Sequence, residues 1–103
     1  MLYQNTTGNN NTAIGQNALW SNSTGINNSA IGSYTLRSNT TGSGNTATGA
    51  FSLFRNASGR HNVATGDSAL YKNTTGNANV ATGAYSLQEN TTGTNNTAIG
   101  HQS

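Results

Sequence analysis

The chain repeats with a period of 17 residues, and this period constrains its fold more than any other feature of the sequence. The register holds from one end to the other without an insertion. A partial unit covers residues 1–10, and the following units begin at Asn11, Asn28, Asn45, Asn62, Asn79 and Asn96. Such periods are typical of solenoids, in which each unit packs only against its neighbours. We therefore predict that residues 1–103 form one tandem-repeat segment.

Within the unit, numbered from its opening Asn, six positions hold the same residue every time. Positions 1 and 12 are always Asn, position 3 is Ala, position 9 is Leu, and positions 5 and 15 are Gly. Two glycines per unit predict two corners that need a positive φ or a close approach of backbones. The stretches between them, positions 2–4 and roughly 6–11, suit short strands.

Helices are not expected, because Asn, Thr, Ser and Gly are poor helix formers and no 3.6-residue period occurs. Two strands and two corners describe one flattened coil, and successive coils would pair in parallel about 4.8 Å apart. The sequence therefore predicts an all-β parallel β-solenoid with 17 residues per coil and about six coils.

Only 31% of the residues are hydrophobic, so the interior of such a coil must be thin. The unvarying Ala of position 3 and Leu of position 9 are predicted to point inward. The unvarying Asn of positions 1 and 12 are predicted to form amide ladders at the corners, bonding to one another or to turn backbone.

Charge and composition argue against several classes of function. The formal net charge is +2, the four basic residues are not clustered, and there is no Cys. We therefore expect no nucleic-acid partner, no disulfide framework, and, without a long apolar run, no direct membrane insertion. Asp67 and Glu89 fall in different columns and different coils, so no catalytic residue, metal site or cofactor is predicted and the chain is not expected to be an enzyme.

The aromatic residues occupy only two columns, positions 7 and 10. They are Tyr3, Trp20, Tyr34, Phe51, Phe54, Tyr71 and Tyr85. Two interpretations are open: the rings are buried between neighbouring copies of the chain, or they form an exposed strip that binds sugar or another surface.

A second candidate surface lies on the first strand, where positions 2 and 4 share the face opposite Ala. Its apolar members are Ile14, Ile31, Val63, Val80 and Ile99, mixed with Thr and Ser. A fully solvated face would not need these side chains. We predict a homotrimer in which this face is directed toward the shared axis.

The units N-T-A-I-G-Q-N-A-L at residues 11–19 and N-S-A-I-G-S-Y-T-L at residues 28–36 resemble the head repeats of trimeric autotransporter adhesins. Similar N-T-A-I-G units look like those in fibre proteins of phages and large viruses. The resemblance covers the whole chain through a short motif. It implies a left-handed parallel β-roll of three chains on a cell or virion surface, adhesion to host cell, matrix or glycan, and no cofactor. The period is longer than the usual head repeat, and the sequence lacks the anchor, stalk and neck.

Three functions are therefore considered. The first is an adhesive surface fibre, and the second is a passive spacer rod or self-assembling filament. The third is an ice-binding solenoid, suggested by Thr46 and Thr48, although only that unit carries Thr at both positions 2 and 4. Because neither end shows a capping unit, we expect a stretch of a longer fibre, with end-to-end stacking as one outcome.

Overall fold

The computed structural model describes residues 4–103, which contain six short strands and no helix. The strands are β1 Thr12–Ile14, β2 Ser29–Ile31, β3 Thr46–Thr48, β4 Val63–Thr65, β5 Val80–Thr82 and β6 Thr97–Ile99. They form one parallel sheet in chain order, and each residue pairs with the residue 17 further along, as Ala30 does with Ala47. The predicted parallel β-solenoid with 17 residues per coil is confirmed.

The prediction of a second strand at positions 6–11 is wrong, because these residues form a turn. Positions 7 and 9 adopt left-handed backbone conformations, with φ of 60° at Tyr34 and 50° at Leu36. Because left-handed residues alternate with other residues, the chain curls here. Its backbone N–H groups nevertheless point along the stack. The Phe51 amide donates to Ser33 of the preceding coil and the Leu53 amide to Ala69 of the following coil. The segment is thus hydrogen-bonded from coil to coil without being a strand.

Glycine is required at positions 5 and 15 for different physical reasons. The prediction named both: a positive φ or a close approach of backbones. At position 5 the backbone needs a positive φ, for example 129° at Gly32, which side chains rarely tolerate. At position 15 the cause is close approach. A Cβ added to Gly59 would lie 2.5 Å from the carbonyl oxygen of Gly76 and would collide with the amide oxygen of Asn56. Both corners therefore require Gly.

The predicted interior columns are confirmed among the residues that the structure describes. Fully buried members are Ala30, Ala47, Ala64 and Ala81 at position 3 and Leu19, Leu36, Leu53 and Leu70 at position 9. Toward the ends, Ala13 and Leu87 are partly buried. Leu2, predicted for the same Leu column, lies outside the described residues.

Position 8 is also interior, which the sequence did not reveal. Its apolar members Ala18 and Ala69 are fully buried. In other coils the position is Ser or Thr. The hydroxyls of Thr35 and Ser52 donate to carbonyls of the next coil, Thr35 to Gly49 at 2.7 Å and Ser52 to Ala64 at 3.2 Å, and Ser103 in the last coil donates to Gly100 of its own coil at 2.8 Å. Because every hydroxyl has a partner, small polar residues can replace Ala there.

The Asn ladders form as predicted, and their side chains are more deeply buried than we expected for residues at corners of the coil. At position 12, the Asn56 side-chain amide donates to Asn39 at 2.8 Å and to the carbonyl of Gly59 at 3.0 Å. At position 1, the Asn45 side-chain oxygen accepts the backbone N–H of Asn62 at 3.0 Å. Within residues 4–103, no buried side-chain nitrogen or oxygen lacks a hydrogen bond. Amides therefore fill much of the interior that a conventional core would fill with apolar groups.

Candidate functional site

Among residues 4–103, the acidic and basic side chains lie apart from one another except for one ion pair. The Lys72 ammonium pairs with the Glu89 carboxylate at 2.7 Å on the surface, where such pairs contribute little to stability. Across residues 4–103, no cluster of three or more His, Asp or Glu could hold a metal ion. The same residues include no helix long and apolar enough to cross a membrane.

Four of the predicted aromatic residues come together on one face of the solenoid. Tyr34, Phe51, Phe54 and Tyr71 form what we call the ring cluster. Along the stack, Tyr34 and Phe51 have centroids 5.2 Å apart and planes 5° apart, and Phe54 and Tyr71 repeat this arrangement at 5.1 Å and 8°. Across the stack, Phe51 and Phe54 are 5.7 Å apart and tilted by 50°. The aromatic columns at positions 7 and 10 are therefore neighbours.

The ring cluster follows from the turn at positions 7–9 and from the stacking of coils. Stacking places equivalent residues of consecutive coils above one another, and the turn brings position 7 beside position 10. Such ring pairs stabilise by about 0.5–1.5 kcal/mol beyond the area that they bury. All four rings remain in contact with solvent, and Phe51 is 36% exposed. The single chain thus presents a partly solvated aromatic surface.

The remaining predicted aromatics lie apart from the ring cluster. Trp20 has the guanidinium carbon of Arg37 5.6 Å from its ring centroid. Tyr85 meets His101 edge to face at 5.7 Å, and in its column Ser68 separates it from Phe51. Tyr3 lies outside the described residues.

Basic side chains accompany the rings, and this association was missed at the sequence level. Arg37 is at position 10, and Arg55 and Lys72 are at position 11, so three of the four basic residues share these columns. Arg55 lies over the Tyr71 ring at 5.9 Å, a cation–π arrangement like that of Arg37 on Trp20. Sorting Lys and Arg by repeat position would have revealed the pattern. We call the surface formed by positions 7, 10 and 11 the ring face.

The five residues predicted for a trimer axis lie on the exposed side of the sheet, opposite the buried Ala column. Ile14, Ile31 and Ile99 are 58%, 43% and 74% exposed, while Val63 and Val80 are half-buried beside exposed Thr. Positions 2 and 4 carry no charged residue in any coil. We call this surface the strand face. Its packing against partner chains stays a prediction.

Comparisons of the chain with protein-family models, with curated proteins and with solved structures found no match. The geometry of the ring face and the strand face is therefore the basis for a functional assignment.

Proposed function

We propose that this chain is a segment of an extracellular surface fibre that attaches to a host cell, matrix or glycan. The observation that carries the proposal is the ring face, a partly exposed strip of aromatic and basic side chains on a polar scaffold. Exposed aromatic patches on soluble proteins mark interaction sites. Adhesion needs only such a surface, whereas a general acid–base pair needs two titratable groups held close together.

The scaffold suits a fibre because its coils repeat the same contacts. Backbone amides, buried Asn ladders and the parallel sheet all connect each coil to the next. Adding a unit lengthens the stack while keeping the same cross-section, which is how solenoids build long surfaces. A binding strip on such a stack is held at fixed spacing by rigid neighbours.

The adhesive function is tested by coating beads with the purified chain and measuring their retention on cultured cells, matrix proteins and a glycan array. We expect retention that falls clearly in the Phe51→Asn variant. Asn fits this position, because Asn17 is its equivalent at a φ of 57°. Ser58→Asn, an exposed change outside the ring face, is the matched control and should bind normally. Absence of retention on every surface would instead favour the passive spacer.

We further propose that three copies associate through their strand faces. This face is apolar and uncharged, and the chain's own interior is thin, so burial of the face adds apolar contact at little desolvation cost. The prediction is that light scattering at micromolar concentration gives three times the chain mass. Val63→Lys should reduce it to the mass of one chain by placing a charge on the axis.

Ser58→Lys adds the same side chain at an exposed site away from the sheet and should leave the trimer intact. A single-chain mass for the unmodified protein would contradict the trimer.

One feature of the strand face favours ice binding as the second candidate. Thr48, Thr65 and Thr82 are exposed in three consecutive coils and form an unbroken Thr column. Ile31 and Ile99 end the column, and Val occupies position 2 in two of these coils. Freezing-point hysteresis that disappears in Thr65→Lys would identify this function.

A further inference from the structure

We propose that the ring face binds an anionic polysaccharide, one whose sugars carry sulfate or carboxylate groups, laid along the axis of the stack. This inference rests on the proposed adhesive function and specifies its ligand class. It follows from the placement of the basic side chains, from two guanidinium groups that have no carboxylate partner, and from the exposed rings beside them.

The basic residues of the ring face occupy three consecutive coils, one in each. Arg37, Arg55 and Lys72 belong to the same three coils as the ring cluster. Parallel coils stack about 4.8 Å apart, so a linear polymer lying along the axis would meet Arg37 and Arg55 on two successive coils, and then Lys72, whose ammonium already pairs with Glu89. A polymer with repeated negative groups matches this arrangement better than a compact ligand does.

The two guanidinium groups remain available to an anion. Arg37 and Arg55 lie over aromatic rings, and Arg37 adds one long 3.4 Å bond to the Ser21 hydroxyl. The chain has only two side-chain carboxylates, and Glu89 is already paired with Lys72. A guanidinium presents a planar fork of N–H donors that fits sulfate and carboxylate oxygens. The aromatic rings beneath the two guanidinium groups hold them in position and leave their positive charges unneutralised.

The rings supply the contact that makes the ligand a sugar rather than any polyanion. The faces of a pyranose ring carry C–H groups, which pack on aromatic surface and release water from both. Phe51 and its neighbours in the ring cluster keep part of their surface in solvent. The aromatic rings therefore match the sugar faces of an acidic glycan, and the neighbouring cations match its sulfate or carboxylate groups.

Burial of the ring face under another copy of the chain is disfavoured by charge. Covering Arg37 and Arg55 would remove them from water, and within residues 4–103 the only side-chain carboxylate without an ion pair is Asp67. Desolvated cations without a counter-ion are costly. The uncharged strand face is the better surface for self-association, which leaves the ring face open to an external ligand.

The test measures affinity by titration calorimetry for three probes: dextran sulfate, unmodified dextran and inorganic polyphosphate. We expect the order dextran sulfate, then polyphosphate, then dextran. Arg55→Ser should weaken binding of dextran sulfate about tenfold, the loss of one charge-assisted contact. Ser is the residue at this position in two other coils, Ser21 and Ser38, so the fold should tolerate the change.

Arg60→Ser is the matched control, since Arg60 is also exposed and lies at position 16, outside the ring face, where another coil carries Ser43. It should change the affinity for dextran sulfate less than about twofold, a general charge effect only. Phe51→Asn should weaken binding of dextran sulfate and leave polyphosphate unaffected.

Four results would overturn the inference. Equal losses in Arg55→Ser and Arg60→Ser would indicate attraction by net charge alone. Polyphosphate binding as tight as dextran sulfate binding would remove the role of the sugar. Dextran binding as tight as dextran sulfate binding, or no binding of any probe, would exclude an anionic glycan; adhesion in the bead experiment would then still support the fibre and point to a different ligand.

Discussion

Replacing Leu53 by Asp is expected to lower the free energy of unfolding by about 5 kcal/mol or more, because it removes a buried apolar side chain and introduces an unpaired charge. Leu53 is fully buried in a central coil, and its column continues through Leu36 and Leu70. Its left-handed backbone, with φ of 50°, suits Asp better than Leu, but this gain is only about 1 kcal/mol. Chemical or thermal unfolding followed by circular dichroism measures the loss.

Arg55→Ser provides the control for Leu53→Asp because it changes an exposed residue only two positions away. Surface substitutions of this kind typically stay within about 0.5 kcal/mol. A similar loss of stability in both variants would show that the inward and outward columns have been assigned wrongly.

The coil length and the inward columns could be predicted because stacking imposes the same environment on every copy of a unit position. A residue that must fill a confined site is then the same each time, as Leu36 and Leu53 are. The Asn ladders were predictable for the same reason, since an amide can both donate to and accept from its own copy in the adjacent coil. These features depend on chemistry that the side chains themselves display.

The turn at positions 6–11 could not be predicted, because its conformation is one that the residues themselves disfavour. Tyr34 and Leu36 adopt positive φ values, which L-residues with bulky side chains rarely do. The conformation is compensated by hydrogen bonds to neighbouring coils, such as Leu36 N–H to Ser52 at 3.0 Å. Such compensation exists only once the coils have stacked, so single-residue preferences do not reveal it.

The ring cluster was only half predictable for a related reason. The two aromatic columns could be identified from the repeat, yet residues three apart on a strand point to opposite faces. The predicted strand would have separated Phe51 from Phe54. The left-handed turn instead places them 5.7 Å apart and joins both columns into one surface. The local backbone therefore decides whether this chain has two separate aromatic columns or one continuous aromatic surface.

Replacing Asn56 by Asp is expected to cost about 4 kcal/mol of unfolding free energy, although the two side chains have nearly the same shape. The Asn56 amide nitrogen donates to Asn39 at 2.8 Å and to the Gly59 carbonyl at 3.0 Å, while its oxygen accepts from Asn73 at 2.8 Å. A carboxylate can keep only the last of these bonds. The buried Asn39 oxygen loses the Asn56 donor, the Gly59 carbonyl keeps only its bond from the Asn45 side chain at 2.8 Å, and a negative charge faces both oxygens in the interior.

Asn27→Asp is the matched control, because it makes the same chemical change at an exposed residue. The backbone of Asn27 is left-handed, with φ of 58°, and Asp tolerates that conformation nearly as well as Asn. Its unfolding free energy should stay within about 0.5 kcal/mol of the parent chain. Comparable unfolding curves for Asn56→Asp and Asn27→Asp would mean that the buried amide ladder is not what stabilises the stack. A large loss confined to Asn56→Asp would show that the buried, hydrogen-bonded amides stabilise this solenoid in addition to its thin apolar core of Ala and Leu.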